Sequence, residues 1–148
     1  MNPFDMIKTH MTQAIPFANH VGVELIEIGD GSCTAALEQR TETSNHIATQ
    51  HAGAMFTLGE AASGGALGGA LAPVLLEVRP VAAGAEIKYV KIAKGRLTAT
   101  AQTDTPGADL LKTLQDVGKV AFGVDVDIRD AEQDTVVTMR VDWHVSKA

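Results

Sequence analysis

Residues 52–76 form an apolar run of mostly small side chains that holds a single charge, Glu60. From Gly53 to about Ala70 this run is the only long helix candidate in the chain, and no second charge defines a side that could face water. Gly59, Gly64, Gly65, Gly68 and Gly69 lie inside it. Each costs an isolated helix about 1 kcal/mol relative to Ala, so the helix survives only where neighbours pack tightly around it. Small side chains allow that close approach. A curved sheet wrapped around one buried helix meets the requirement. The Gly64-x-x-x-Gly68 and Gly65-x-x-x-Gly69 spacings also suit a pair of membrane helices. Glu60 opposes that reading, because a carboxylate near a bilayer centre costs roughly 2.5–3.5 kcal/mol, and the flanks carry no anchoring Trp or Tyr. No membrane association is expected.

The rest of the chain supplies the sheet. Residues 3–14 have helical spacing through Met6, Ile7 and Met11, with Pro16 stopping the run. Residues 21–29 and 32–39 read as two strands joined by the turn Gly29-Asp30-Gly31. Residues 40–50 are a polar loop. After Pro73, Val74–Val81 and Ala85–Ile92 are rich in β-formers, interrupted by Pro80 and Gly84. Residues 96–103, 119–128 and 135–145 alternate in strand fashion. Residues 106–116 form a short helix ended by Gly118. The fold class is α+β: a mostly antiparallel sheet with helices on one face.

At 148 residues the chain is most simply one domain, 1–148, and its net charge of −6 argues against nucleic acid as a partner. Cys33 is the one cysteine, so no internal disulfide forms and a reducing compartment is expected; the thiol reads as strand packing. The N-terminus lacks the pattern of a signal peptide.

Chemistry concentrates between Asn45 and Glu60. A carboxylate among apolar groups tends to have a raised pKa, which suits a general base or nucleophile; the alternative is a surface charge on the helix. His51 sits where the loop enters the helix, either as a cap or as a group that orients a substrate carbonyl. Asn45 is either a turn former or the holder of an attacking water. Ala52 and Gly53 leave the first amides of the helix open, as an oxyanion hole requires. His46, His51 and Glu60 match no zinc spacing, and no metal is expected. Lys88, Lys91, Lys94 and Arg96 hold four of the twelve Lys and Arg residues. They read either as the guard of an edge strand or as a contact for the phosphates of a nucleotide-like ligand.

In order and spacing, four pieces of the chain resemble the hot-dog fold thioesterases, in particular the phenylacetyl-CoA-thioesterase-type branch and its poorly characterised relatives. These are Ile15–Val23, Asn45–Glu60, Ala85–Gly95 and the ending Val141-Asp142-Trp143-His144-Val145. The resemblance covers nearly the whole chain. It implies a long central helix wrapped by an antiparallel sheet, homodimers joined edge to edge that can pair again into homotetramers, and an active site at the dimer interface. It implies an acyl-CoA thioesterase that needs no cofactor beyond the coenzyme A of its substrate, and the lone Cys33 with the N-terminal pattern leads to the expectation of a cytoplasmic protein. Glu60 would attack the thioester or activate water. The amides near Ala52 and Gly53 would polarise the carbonyl, Asn45 would hold water or carbonyl, and His51 would orient the group beside it. The basic residues 88–96 are expected to meet the substrate's phosphates. Some members add a Ser or Thr on the strand after the helix, where Ala82 and Ala83 carry no hydroxyl. A non-catalytic acyl-CoA-binding protein is therefore the alternative.

Overall fold

The computed structural model describes residues 2–148. Helix α1 (Pro3–Ala14) is capped by the Asn2 side chain, and a short helix α2 (Pro16–Val21) follows. Strands β1 (Glu24–Gly29) and β2 (Ser32–Leu37) form the expected hairpin. The long helix α3 spans Ala52–Ala70. A 3-10 turn over Ala72–Glu77 leads into β3 (Val78–Tyr89), followed by β4 (Leu97–Thr103), helix α4 (Gly107–Val117), β5 (Lys119–Arg129) and β6 (Thr135–Lys147). The six strands make one sheet in the order β1-β2-β4-β5-β6-β3, and every neighbouring pair is antiparallel.

The helix α3 lies against this sheet. From Ala54 onward only Phe56 and Glu60 escape full burial. Leu58, Leu67 and Leu71 pack with Leu37, Leu97, Val124, Ile128 and Val141 of the sheet in one apolar cluster. The paired glycines divide the work. A Cβ on Gly69 would run into the backbone carbonyl of Gly29, and one on Gly65 would lie 2.5 Å from the Cys33 sulfur. Gly64 and Gly68 face the other way, toward Met11 of α1. The i,i+4 spacing that resembles a membrane motif thus produces two close contacts at once, one with the sheet and one with α1. No helix among the described residues is long and apolar enough to cross a membrane. Cys33 is buried, and burial pushes its thiol up to about 12, as a packing residue requires.

Two local expectations are revised. Residues 16–21, expected as loop and strand, form α2, because Pro16 starts a helix as readily as it ends one. Residues 74–92 do not make two strands. The first part is the 3-10 turn, and β3 then runs on through Pro80 and Gly84. Both are tolerated because β3 lies at the sheet edge, where Pro80 need not donate to a ladder, and the register slips between Ala82 and Gly84.

The two glycine faces predict opposite outcomes for the same substitution. Gly69→Ala should destabilise the protein by about 3 kcal/mol or more, because backbone cannot move aside. Gly64→Ala, whose Cβ finds Met11 and Trp143 at 3.7 and 3.8 Å, should be neutral or stabilising by up to about 1 kcal/mol. Urea unfolding of both variants checks this pair.

Candidate functional site

The loop before α3 is held by its own side chains. Asn45 Oδ1 accepts from the Ile47 and Thr49 amides at 3.1 and 3.0 Å, and Asn45 Nδ2 donates to Thr49 Oγ1 at 2.8 Å. Gln50, 1% exposed, donates through Nε2 to the Gly95 carbonyl, and its own amide donates to the Ala93 carbonyl. Gln39 ties the same loop to the Gly95 amide and the Ala48 carbonyl. Asn45 is therefore the organiser of this loop, and its polar atoms are engaged within it.

His51 is the N-cap of α3. Its Nδ1 accepts the Gly53 amide at 2.8 Å, so the ring acts as the acceptor that Ser or Asp more often supplies at this position. Of the two expected oxyanion donors, the Gly53 amide is occupied. The Ala52 amide has no acceptor among the described residues, and Ala52 is exposed. Tyr89, on the core-facing side of β3, donates its hydroxyl to the Ala52 carbonyl at 3.1 Å. Asn45, Ala52, Tyr89, Lys91 and Ile92 line one hollow of about 370 Å³.

Glu60 lies elsewhere. It lines a cavity of about 270 Å³ between α1, α3, β3 and β6, whose other walls include Met11, Ile15, Leu67, Leu75 and Trp143. His10 is the only other titratable residue on that lining. Burial alone pushes the Glu60 carboxyl above its ordinary range. The turn that carries it is pinned from below. Ser63 Oγ donates to the Glu60 carbonyl at 2.7 Å and accepts from Trp143 Nε1 at 3.1 Å. Ser63 and Trp143 were not singled out as candidates, although a lone Ser in an Ala/Gly helix and a lone Trp on a strand each imply a polar partner.

Within one protomer the two features stand apart. Ala52 and Glu60 are separated by about 12 Å along the axis of α3. The strand β3 connects them along the sheet edge: Tyr89 reaches the start of the helix, and Pro80 borders the Glu60 cavity. The edge is open, since β3 pairs only with β6 among the described strands.

The basic segment divides as well. Lys91 pairs with Asp134 at 2.9 Å and Asp130 at 3.5 Å, and Arg96 pairs with Glu38. Lys88 stands on the outer face of β3 beside Glu86 and Arg140. Lys94 is exposed. Only Lys91 borders the hollow that contains Ala52.

A family model described as a domain of unknown function, DUF4442, matches residues 5–145. Comparison with the curated proteins finds no match. Among solved structures, the chain is similar to a probable thioesterase from Pseudomonas aeruginosa, with a TM-score of 0.81 and 20% identity over 99% of this chain and 97% of that one. It is also similar to the Escherichia coli PaaI protein of the phenylacetic acid degradation operon, with a TM-score of 0.74 and 22% identity over 96% and 92%. A third similar structure is a hypothetical thioesterase from Streptococcus pneumoniae with coenzyme A, with a TM-score of 0.68 and 20% identity over 90% and 98%. The fold is the hot-dog fold, as expected from the sequence.

Because burial raises the Glu60 pKa, the folded chain holds that proton more tightly than the unfolded chain. Ionising Glu60 therefore costs stability as pH rises from the unfolded value, about 4.3, through the higher folded one. Glu60→Gln should accordingly raise Tm at pH 7–8, and the gain should shrink toward zero as pH falls below about 4. Thermal melts of both proteins across this range test the sign.

Proposed function

As the chain belongs to the DUF4442 family, within the hot-dog thioesterase superfamily, we propose that it is an acyl-CoA thioesterase. Its active site would be completed by a second copy pairing along β3. The observation that carries this reading is the half-buried Glu60 carboxylate. It faces an apolar cavity and accepts no hydrogen bond among the described residues, and burial is the one cause of its raised pKa. The partner it lacks within its own protomer is present at the start of the same helix, in the free Ala52 amide. An antiparallel copy of β3 reverses the edge. The partner's Tyr89 end, with its helix start, then comes to the half of the edge where the Glu60 cavity opens.

In this arrangement Glu60 takes a proton from water, and the water oxygen forms a bond to the thioester carbon. The carbonyl oxygen becomes an oxyanion beside the partner's helix start, favoured by the Ala52 amide and the helix dipole. The C–S bond then breaks, and the proton passes from Glu60 to the departing thiolate. A carboxylate with a pKa raised by burial is the better base near neutral pH. Asn45 and His51 act by holding the helix start in place. Lys94, exposed and in no ion pair among the described residues, is the cation suited to meet the phosphates of coenzyme A; Lys91 borders the Ala52 hollow but is already paired with Asp130 and Asp134. The substrate and the single buried thiol fit a cytoplasmic protein. A homodimer is the smallest active unit, and a homotetramer of two such dimers is compatible with it. The occupied Gly53 amide and the absence of a hydroxyl at Ala82 and Ala83 favour the second reading, in which acyl-CoA is held without being cleaved.

Thiol release from a panel of acyl-CoAs tests the proposal. Glu60→Ala should reduce kcat by about 10²–10⁴-fold. Ala52→Pro should reduce it by about 10²–10³-fold. Proline is welcome at the first position of a helix, and His51 already has the extended backbone that a following proline needs, so this variant removes the amide donor and little else. Activity unchanged in both variants would overturn the assignment. Acyl-CoA binding by calorimetry without thiol release would select the binding protein.

A further inference from the structure

The cavity beside Glu60 has one open wall and one closed end, and both are set by glycines on a single face of α3. At Gly64 there is room: a Cβ would find Met11 Cε at 3.7 Å and Trp143 Cζ2 at 3.8 Å, which are ordinary contacts. At Gly68, one turn on, there is none. A Cβ would meet Met11 Sδ at 2.8 Å, Ile7 Cγ2 at 3.2 Å and Leu75 Cδ2 at 3.6 Å. The cavity therefore starts at Glu60, passes Gly64 and stops where Met11 and Leu75 close over Gly68. Its walls are apolar, with His10 and Glu60 as the only titratable groups.

From Glu60 to Gly68 the helix advances about 12 Å. An extended chain advances about 1.2 Å per bond, as three backbone bonds span about 3.3–3.6 Å. The space before the plug therefore suits roughly ten carbons.

Resting on the thioesterase reading, we infer that the acyl chain of the substrate lies in this cavity, along the Glu60–Gly64 face of α3. Met11 and Leu75 set its upper length at about ten carbons. Gly64 lines the cavity, so a side chain larger than a methyl there intrudes on it. Leu75 is the thinner part of the barrier. It lies in the 3-10 turn Ala72–Glu77, and its neighbour Val74 lines a separate hollow of about 460 Å³ with Val78, Leu111 and Leu114. Cutting back Leu75 lengthens the cavity toward that hollow, whereas a larger side chain at position 64 shortens it.

The test uses the full-length protein, a series of acyl-CoAs from acetyl to dodecanoyl, and the thioether octyl-CoA, which cannot be hydrolysed. Trp143 is the single tryptophan of the chain and lines the cavity, so its fluorescence reports occupancy independently of turnover. For the wild type, kcat/KM with octanoyl-CoA should exceed that with dodecanoyl-CoA by about tenfold or more, the factor expected when two or three methylenes stay unburied. Leu75→Ala should close most of that gap. Gly64→Leu should lose octanoyl-CoA while keeping acetyl-CoA. Octyl-CoA should shift Trp143 emission in the wild type and not in Gly64→Leu, with free coenzyme A as the control. If Gly64→Leu does not fold, the Leu75→Ala comparison alone decides. Thiol release with a length profile unchanged in the variants, or octyl-CoA binding that leaves Trp143 silent, would overturn the inference while leaving the thioesterase reading intact. A Trp143 response to octyl-CoA that is lost in Gly64→Leu, in a protein that releases no thiol, would uphold the cavity and defeat the hydrolase.

Discussion

The structure depends on how closely α3 can approach what surrounds it. At Gly69 the helix lies against the backbone of Gly29, and at Gly65 against the Cys33 side chain. No larger residue could stand at those positions without pushing the helix off the sheet. Because β1 and β2 are pulled in at that contact and the remaining strands follow by pairing, the sheet curls around one helix and not two. The cost of five glycines in a helix interior is offset by burial on nearly every side. The same contacts fix how far Glu60 can sit from solvent. Its turn is anchored by Ser63 and Trp143, so the carboxylate is held half-buried by the frame.

Much of this was legible in the sequence, for physical reasons. A helix that is apolar all round and rich in glycine has few ways to exist, and one stray carboxylate in it stands out. Strong alternation in residues 96–103, 119–128 and 135–145 was easy to read because the sheet has one face in the core and one in water. There Arg140 spans Asp104, Asp125 and Asp142 on the outer side. The turns at Gly31 and Gly118 were readable from glycines that adopt positive φ. Less legible were α2 and the 3-10 turn after α3. Both begin near a proline, which marks a boundary without saying what lies on either side of it. The continuity of β3 was hidden for a related reason. Pro80 and Gly84 break a central strand, and only the strand order shows that β3 is at an edge where they do no harm.

The candidate site was legible in its residues and not in its geometry. Sequence places Ala52 and Glu60 on one helix, and the spacing alone cannot say that they serve different pockets. His51 illustrates the limit: capping and substrate orientation are both open to a histidine at a helix start, and the structure shows the ring taking the Gly53 amide. The basic segment is similar. Its charge looks free in sequence, yet the turn Asp130–Asp134 and Glu38 come from far along the chain to pair with Lys91 and Arg96. Long-range pairing of this kind leaves no local signal. A carboxylate at one place, a free helix amide at another, and an open sheet edge running past both are what the proposed two-copy site would use.

That arrangement is open to one direct measurement. Mix Glu60→Ala protomers with Ala52→Pro protomers, each inactive alone, by co-expression, and assay thiol release from octanoyl-CoA. If each site takes its carboxylate from one protomer and its amide from the other, a mixed dimer contains one intact site. Activity should then return to about a quarter of the wild-type level, as expected for random pairing in a two-fold dimer. If both groups served a site within a single protomer, every site in the mixture would lack one of them, and the mixture would stay as inactive as its parts.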